Sequence, residues 1–187
     1  MPEQDRLKWN SKFGSRDMVP GEPEPFLMEH HQKLRGGVVM DLACGDGRNS
    51  LFLAREGHQT IGVDISDVGL ERLAEFAAQR ELSLEVFAMD LEESVQPDSL
   101  PPFQNVVISH YKPVSALWEL LVERLPRGGL VIISTFNLRQ HEATGFSKKF
   151  CLREREYFDL HPHLQVEHYE SREDQGKFTD GYILKKV

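Results

Sequence analysis

The chain is poor in cysteine, in positive charge and in long apolar runs, and each shortage removes a class of function. Two cysteines, Cys44 and Cys151, in 187 residues are too few for a disulfide framework. Lys and Arg number 22 against 30 Asp and Glu, and the net charge of −8 disfavours DNA or RNA as a partner, because phosphate binding relies on clustered cations. No apolar run approaches the roughly 20 residues of a membrane span, and the opening Met1-Pro-Glu-Gln-Asp-Arg6 lacks the basic and apolar regions of a secretory signal. The expectation is a cytoplasmic protein, monomer or homodimer, with neither a membrane nor a nucleic-acid partner. The length suits one compact domain, divided as a helical cap over residues 1–35 and a ligand-binding body over residues 36–187.

What is present concentrates between residues 38 and 64. Val38 to Leu42 is a short apolar run suited to a strand buried on both faces of a parallel sheet. It ends in a turn where Gly45 and Gly47 accept positive φ and let a ligand approach the main chain. Leu51, Phe52 and Ala54 recur at helical spacing, and Gly57 stands where a helix C′ residue would stand. Ile61 to Val63 reads as a second strand closed by Asp64. Strand, glycine turn, helix, strand and acid make the first half of a nucleotide-binding crossover. Free N–H groups at the helix start can hold an anionic or polar group, and Asp64 can accept from two vicinal hydroxyls, which fits an adenosine.

Two positions bear on which adenosine it is. A dinucleotide fingerprint would run G-x-G-x-x-G, whereas Gly45-Asp-Gly-Arg-Asn-Ser50 has Ser50 at the last place. The charge of Asp41, just before the turn, opposes a pyrophosphate and favours a sulfonium that carries an α-amino group. The segment Asp41-Leu-Ala-Cys-Gly-Asp-Gly-Arg-Asn49 resembles the first motif of class I S-adenosylmethionine (SAM)-dependent methyltransferases, D-x-G-x-G-x-G, with Ala43 in place of the first glycine. The resemblance covers most of the chain and is nearest the small tellurite-resistance type and related small-molecule methyltransferases. It implies a Rossmann-like, doubly wound α/β fold with a seven-stranded sheet, mostly parallel with a C-terminal antiparallel hairpin. It also implies SAM as cofactor, held by Asp41, Ala43, Cys44, Gly45, Gly47, Asn49, Asp64, Ile65, Asp90, Leu91 and Ser109, with Asp90 accepting from the adenine amino group.

The remaining segments fill this frame. Trp9 and Phe13, one helical turn apart, suit an N-terminal helix that either packs on the domain or closes over the cofactor, with Lys12 and Arg16 near the cofactor carboxylate. Pro20-Gly-Glu-Pro-Glu-Pro25 is a connector before a helix over residues 26–34. Ser66 is an N-cap for the stripe Leu70, Leu73, Ala74 and Ala77. Leu84 to Met89 is a third strand, residues 97–102 a proline loop and Val106 to Ile108 a fourth strand. The latter ends in Ser109-His110-Tyr111-Lys112-Pro113, where the family places residues that face the acceptor; the absence of Asn-Pro-Pro-Tyr there counts against a base-amine or glutamine substrate. His110 is the candidate general base, and Tyr111 and Lys112 are candidates for shaping the acceptor pocket. Val114, Leu117, Leu121 and Leu125 keep helical spacing, and Gly129 to Phe136 is a fifth strand expected at the sheet centre. Residues 137–150 show no period and read as a loop, Leu152 to Phe158 as a short helix, and Leu164 to Tyr169 with Phe178 to Lys185 as a hairpin around Asp174-Gln-Gly176. His30 and His31 face different ways, and His161, His163 and His168 lack a convergent cysteine or acid motif, so no metal is expected.

The functional expectation is methyl transfer from SAM by in-line displacement to a small acceptor. A soft sulfur-, selenium- or tellurium-type atom would need no base, and an oxygen or nitrogen atom would use His110. Competing readings are a protein- or RNA-directed methyltransferase, a non-catalytic SAM-binding module, and a NAD-dependent oxidoreductase; the last is opposed by Asp41, Ser50, Asp90 and the lack of a catalytic domain.

Overall fold

A computed structural model describes residues 2–34, 36–92 and 99–187, so the first two residues of the expected proline loop lie outside the described residues. Five parallel strands, β1 (Val38–Leu42), β2 (Gln59–Asp64), β3 (Glu85–Ala88), β4 (Asn105–Ser109) and β5 (Leu130–Phe136), join the antiparallel pair β6 (Leu164–Asp174) and β7 (Lys177–Lys186). The order across the seven-stranded sheet is β3-β2-β1-β4-β5-β7-β6. The apolar run of β1 is buried as its composition predicts, with Val39, Met40 and Leu42 fully enclosed. One sheet face packs on α5 (Ser115–Arg124) and the segment that precedes β6, and the other on α2 (Pro25–His30) and α3 (Arg48–Arg55).

Strand order reverses between β1 and β4, which pair in parallel with Asp41 opposite Val107. That switch point opens a crevice beyond the carboxyl ends of the strands, the usual ligand position in such sheets. β5 is not the sheet centre. Three strands lie on each side of β4, because the chain turns back after β3 and adds a hairpin of only two strands beyond β5.

Ser66 caps α4 (Asp67–Gln79) as expected, its Oγ accepting from Gly69 N at 3.0 Å. Three local expectations are corrected. The expected helix over 26–34 stops at His30 and continues as a single 3-10 turn. Residues 137–150 contain a helix, α6 (Leu138–Thr144), started by the Asn137 side chain accepting from Arg139 N and stopped by Gly145 at φ 72°. A helix of two turns that buries only Gln140 needs no apolar stripe, so caps were its only signal. Leu152 to Phe158 is not a helix: Leu152 N donates to Phe136 O at 2.8 Å and its carbonyl accepts from Leu138 N, which ties this backbone to the end of β5 before a series of turns.

Ahead of the sheet, α1 (Pro2–Gly14) docks on the start of α4. Asn10 Oδ1 accepts from Ser66 Oγ at 2.7 Å, and Phe13 is buried beside Gly45 and Gly69. Among the described residues, no helix is long and apolar enough to cross a membrane.

Ala43 occupies left-handed backbone at φ 57°, a conformation that costs a residue with a Cβ about 1–2 kcal/mol. Glycine adds about 0.5–1 kcal/mol of unfolded-state entropy. Ala43→Gly is therefore expected to leave the denaturation midpoint unchanged or raised; a clear drop would show that the methyl group packs more tightly than the turn is strained.

Candidate active site

The glycine turn is held by one buried carboxylate. Asp64 Oδ2 accepts from Gly45 N at 2.8 Å and Oδ1 from Ser66 N at 2.8 Å, so a single side chain bridges the turn after β1 and the loop after β2. Burial pushes its pKa up, against the pull of the Ser66, Gly45 and Ile65 amides. The carboxylate keeps acceptor capacity beyond these amides for a ligand hydroxyl. Glycine is required at both turn positions: a Cβ on Gly45 would meet the Phe13 ring at 2.7 Å, and one on Gly47 would meet Leu73 Cδ1 at 2.1 Å.

Asp41 lies beneath this turn, 1% exposed, and accepts from Ser50 Oγ at 2.6 Å. Burial raises its pKa to about 7, opposed by Ser50 and Arg48 and helped by the nearby Asp64 charge. The expected full negative charge at the groove is thus corrected: near neutral pH Asp41 is partly protonated. Asn49 is also placed differently from expectation, since its Oδ1 accepts from Glu24 N at 2.9 Å and fastens the proline connector. Cys44 packs in the core with its thiol pushed well up by burial, consistent with a small inert side chain.

Ile65 and Asp90 line a single open cleft of about 520 Å³ with Glu3, Arg6, Asp67, Ala88 and Met89. Asp90 Oδ1 accepts from Glu92 N at 2.8 Å, while Oδ2 is buried without a hydrogen-bond partner among the described residues. Leu91 is buried in the core and Ser109 is half-buried at the end of β4. The Tyr111 hydroxyl is pushed up by burial and then by the charges of Glu92, Asp90 and Asp64, and Asp64 in turn raises Asp41.

α1 runs across this region, from Glu3 and Arg6 at the cleft to Phe13 on the glycine turn. Trp9 stacks on Phe13 with centroids 5.8 Å apart, and Lys12 Nζ lies 4.3 Å above the Trp9 ring. Arg16 is committed to Asp46 at 3.0 Å, with Arg72 gripping the same carboxylate and the carbonyls of Arg16 and Asp17, so its expected role beside a cofactor carboxylate is replaced by a strap. Lys112 likewise does not stand free at the pocket: it pairs with Glu156 at 2.9 Å and donates to Cys151 O.

His110 has φ 55°, a strained conformation for a residue with a Cβ and one that collects at functional sites. Its ring stacks on Phe136 at 4.6 Å; Nε2 is 3.0 Å from Glu24 Oε2, and Nδ1 is 3.3 Å from Arg48 Nη2. Glu24 is buried and also accepts from Arg48 Nη2 at 3.0 Å and Ser134 Oγ at 2.9 Å. Burial alone would raise its pKa, but His110, Arg48 and Ser134 hold it at about 2. Sequence reading missed Glu24, Arg48 and Ser134; the only signal was an acid set among prolines. Phe146 lies 4.8 Å from Phe136 and 6.3 Å from Phe150, extending an aromatic strip away from His110.

Residues 39–129 match the family described as a methyltransferase domain. That stretch, just under half of the chain, is similar to a methyltransferase domain. The ubiquinone biosynthesis O-methyltransferase of Idiomarina loihiensis is 28% identical over 115 residues, which cover 60% of this chain and 47% of that protein. The magnesium protoporphyrin IX methyltransferase ChlM of Synechocystis PCC 6803, solved with bound SAH, superposes with a TM-score of 0.74 at 16% identity and full coverage of both chains, 100% each. TehB of Haemophilus influenzae superposes with a TM-score of 0.70 at 16% identity, over 88% of this chain and 62% of that one. The likeness to both structures concerns the fold. The chain spans about half the length, or less, of the curated relatives it matches.

Asp41 gives a pH test of the buried charge beneath the glycine turn. Its folded pKa of about 7 lies above the ordinary 3.8, so the folded chain holds an extra proton between these values and loses stability as pH rises through about 7. Asp41→Asn removes that dependence. Its melting temperature is expected to exceed that of the wild type at pH 8 and to approach it at pH 4; parallel pH profiles would contradict the assignment.

Proposed function

We propose that the chain binds SAM in the crevice over β1, β2 and β4 and transfers its methyl group to a small acceptor held beside His110, Phe136 and Phe146. The observation that carries this reading is the shared cleft of Ile65 and Asp90 next to Asp64, with Asp90 Oδ2 buried and without a donor. That oxygen suits an exocyclic amino group, and the remaining acceptor capacity of Asp64 suits a ribose hydroxyl. Backbone groups of the turn at Ala43, Gly45 and Gly47 suit the amino-acid end of the cofactor. Residues 1–35 act as the cap, with Phe13 and Trp9 excluding water from the turn, and residues 36–187 form the catalytic body.

The cofactor supplies an activated methyl group, so the protein contributes alignment and a dry site. Glu24 Oε2 faces Nε2 of His110 at 3.0 Å as a charge partner, and Nδ1 lies on the side where the Arg48 guanidinium now sits. An acceptor hydroxyl that takes this place gives its proton to Nδ1 as its oxygen bonds to the methyl carbon. The carbon–sulfur bond breaks, and its electron pair returns to sulfur. A thiolate acceptor needs no such base. The half-buried Phe146 and the exposed Phe150 offer ring faces to a flat, uncharged acceptor, whereas the chain's net charge of −8 opposes a polyanion.

SAH formation from SAM with panels of phenols and thiols tests the reading. Turnover on at least one class is expected, and SAM binding without turnover on any would point instead to a cofactor-sensing module. His110→Ala is expected to slow transfer to a hydroxyl acceptor by about 10²–10⁴, to change thiol transfer little, and to leave SAM affinity intact. Asp64→Ala is expected to weaken SAM binding by about 1.5–3 kcal/mol, read by calorimetry on variants whose circular dichroism matches the wild type.

A further inference from the structure

At the far end of α2 from Glu24, three groups converge that the methyl-transfer site does not use. His30 is the last residue of α2, while His168 and Glu170, two apart on β6, share one face of the strand. His30 Nε2 is 4.0 Å from Glu170 Oε1, and His168 Nε2 is 3.9 Å from Glu170 Oε2. All three ligand atoms lie within 4.8 Å of one another. Both ring nitrogens are buried and have no hydrogen-bond partner among the described residues. A register shift falls between Val166 and His168 on this edge strand, just before the two β6 ligands.

We propose that His30, His168 and Glu170 form a three-ligand site for a divalent transition-metal ion of the zinc class, which clamps α2 to the edge strand β6. Two imidazole nitrogens and one carboxylate oxygen are a zinc donor set that leaves a fourth position for water. With metal–ligand bonds of about 2.0–2.1 Å, tetrahedral donors stand about 3.4 Å apart, so small rotations of the two rings close the set. Phe26 floors the cluster, its ring centroid 4.7 Å from that of His30 and 6.0 Å from that of His168. The charged groups facing it are Glu29, Glu170 and Arg172. Arg172 Nε holds Glu170 Oε1 at 2.5 Å, and the other end of its guanidinium grips Glu29, so the carboxylate is oriented and one net negative charge remains for the cation. Because Glu24 lies one residue before α2, the ion would also steady the helix that presents it to His110.

Calorimetric titration of the untagged, chelator-stripped chain with zinc chloride tests the site independently of any methyl-transfer activity. One saturable equivalent is expected, together with a zinc-dependent rise in melting temperature. His168→Gln and His30→Gln are each expected to weaken binding by at least about tenfold, and His163→Gln to leave it unchanged. Binding that is absent in the wild type, or equal in His168→Gln, would overturn the proposal; the second result would place the ion on other histidines, such as the His31–His58 pair at 3.3 Å. Cobalt(II) on the wild type gives a readout that needs no variant. Strong visible absorption of a low-coordinate site, abolished by zinc, is expected, and an octahedral spectrum would contradict it.

Discussion

A carboxylate that takes one backbone N–H from each of two loops is the constraint on which the site depends. Asp64 joins Gly45 to Ser66, and through them the ends of β1 and β2 and the starts of α3 and α4. Burying such a group is unfavourable unless charge-assisted hydrogen bonds offset the lost hydration. Each of its oxygens accepts one such bond, yet burial still holds its pKa above the ordinary range. The same arrangement fixes the distance between the glycine turn and the cleft at Ile65.

The chain ahead of β1 supplies a second set of constraints. α1 is fastened by Asn10 to the cap of α4, by Phe13 to the face of Gly45 and by Arg16 to Asp46. The proline connector is fastened by Asn49 to the start of α3 and by Glu24 to Arg48, His110 and Ser134. Prolines suit that connector because they limit its conformations without demanding hydrogen bonds of their own. The consequence is that loops from β1 and β4 meet a wall made by the N-terminal segment, and the strained backbone of His110 is kept in place by that wall rather than by β4 alone.

Legibility in the sequence followed the range of the interactions. The crossover from Val38 to Asp64, the Ser66 cap and the C-terminal hairpin declare themselves because their signals lie within a few residues of one another. Asp41 was found for the same reason, but its protonation was not, since that follows from complete burial and from Asp64. Glu24 with His110 and Ser134, and His30 with His168 and Glu170, join residues far apart in the chain, and no local period marks them. Helix α6 carried its signal in two caps alone, and the 152–158 segment shows apolar residues whose burial comes from lying against β5 rather than from a helical face.

The central claim is that the crevice beside Asp64 and Asp90 selects an adenosyl sulfonium over a phosphorylated nucleotide. Parallel calorimetry of the wild-type chain with SAM, with its demethylated product SAH and with NAD measures this selection directly. Saturable one-to-one binding of SAM and SAH, with no binding of NAD, is the predicted result. Binding of NAD with none of SAM would contradict it.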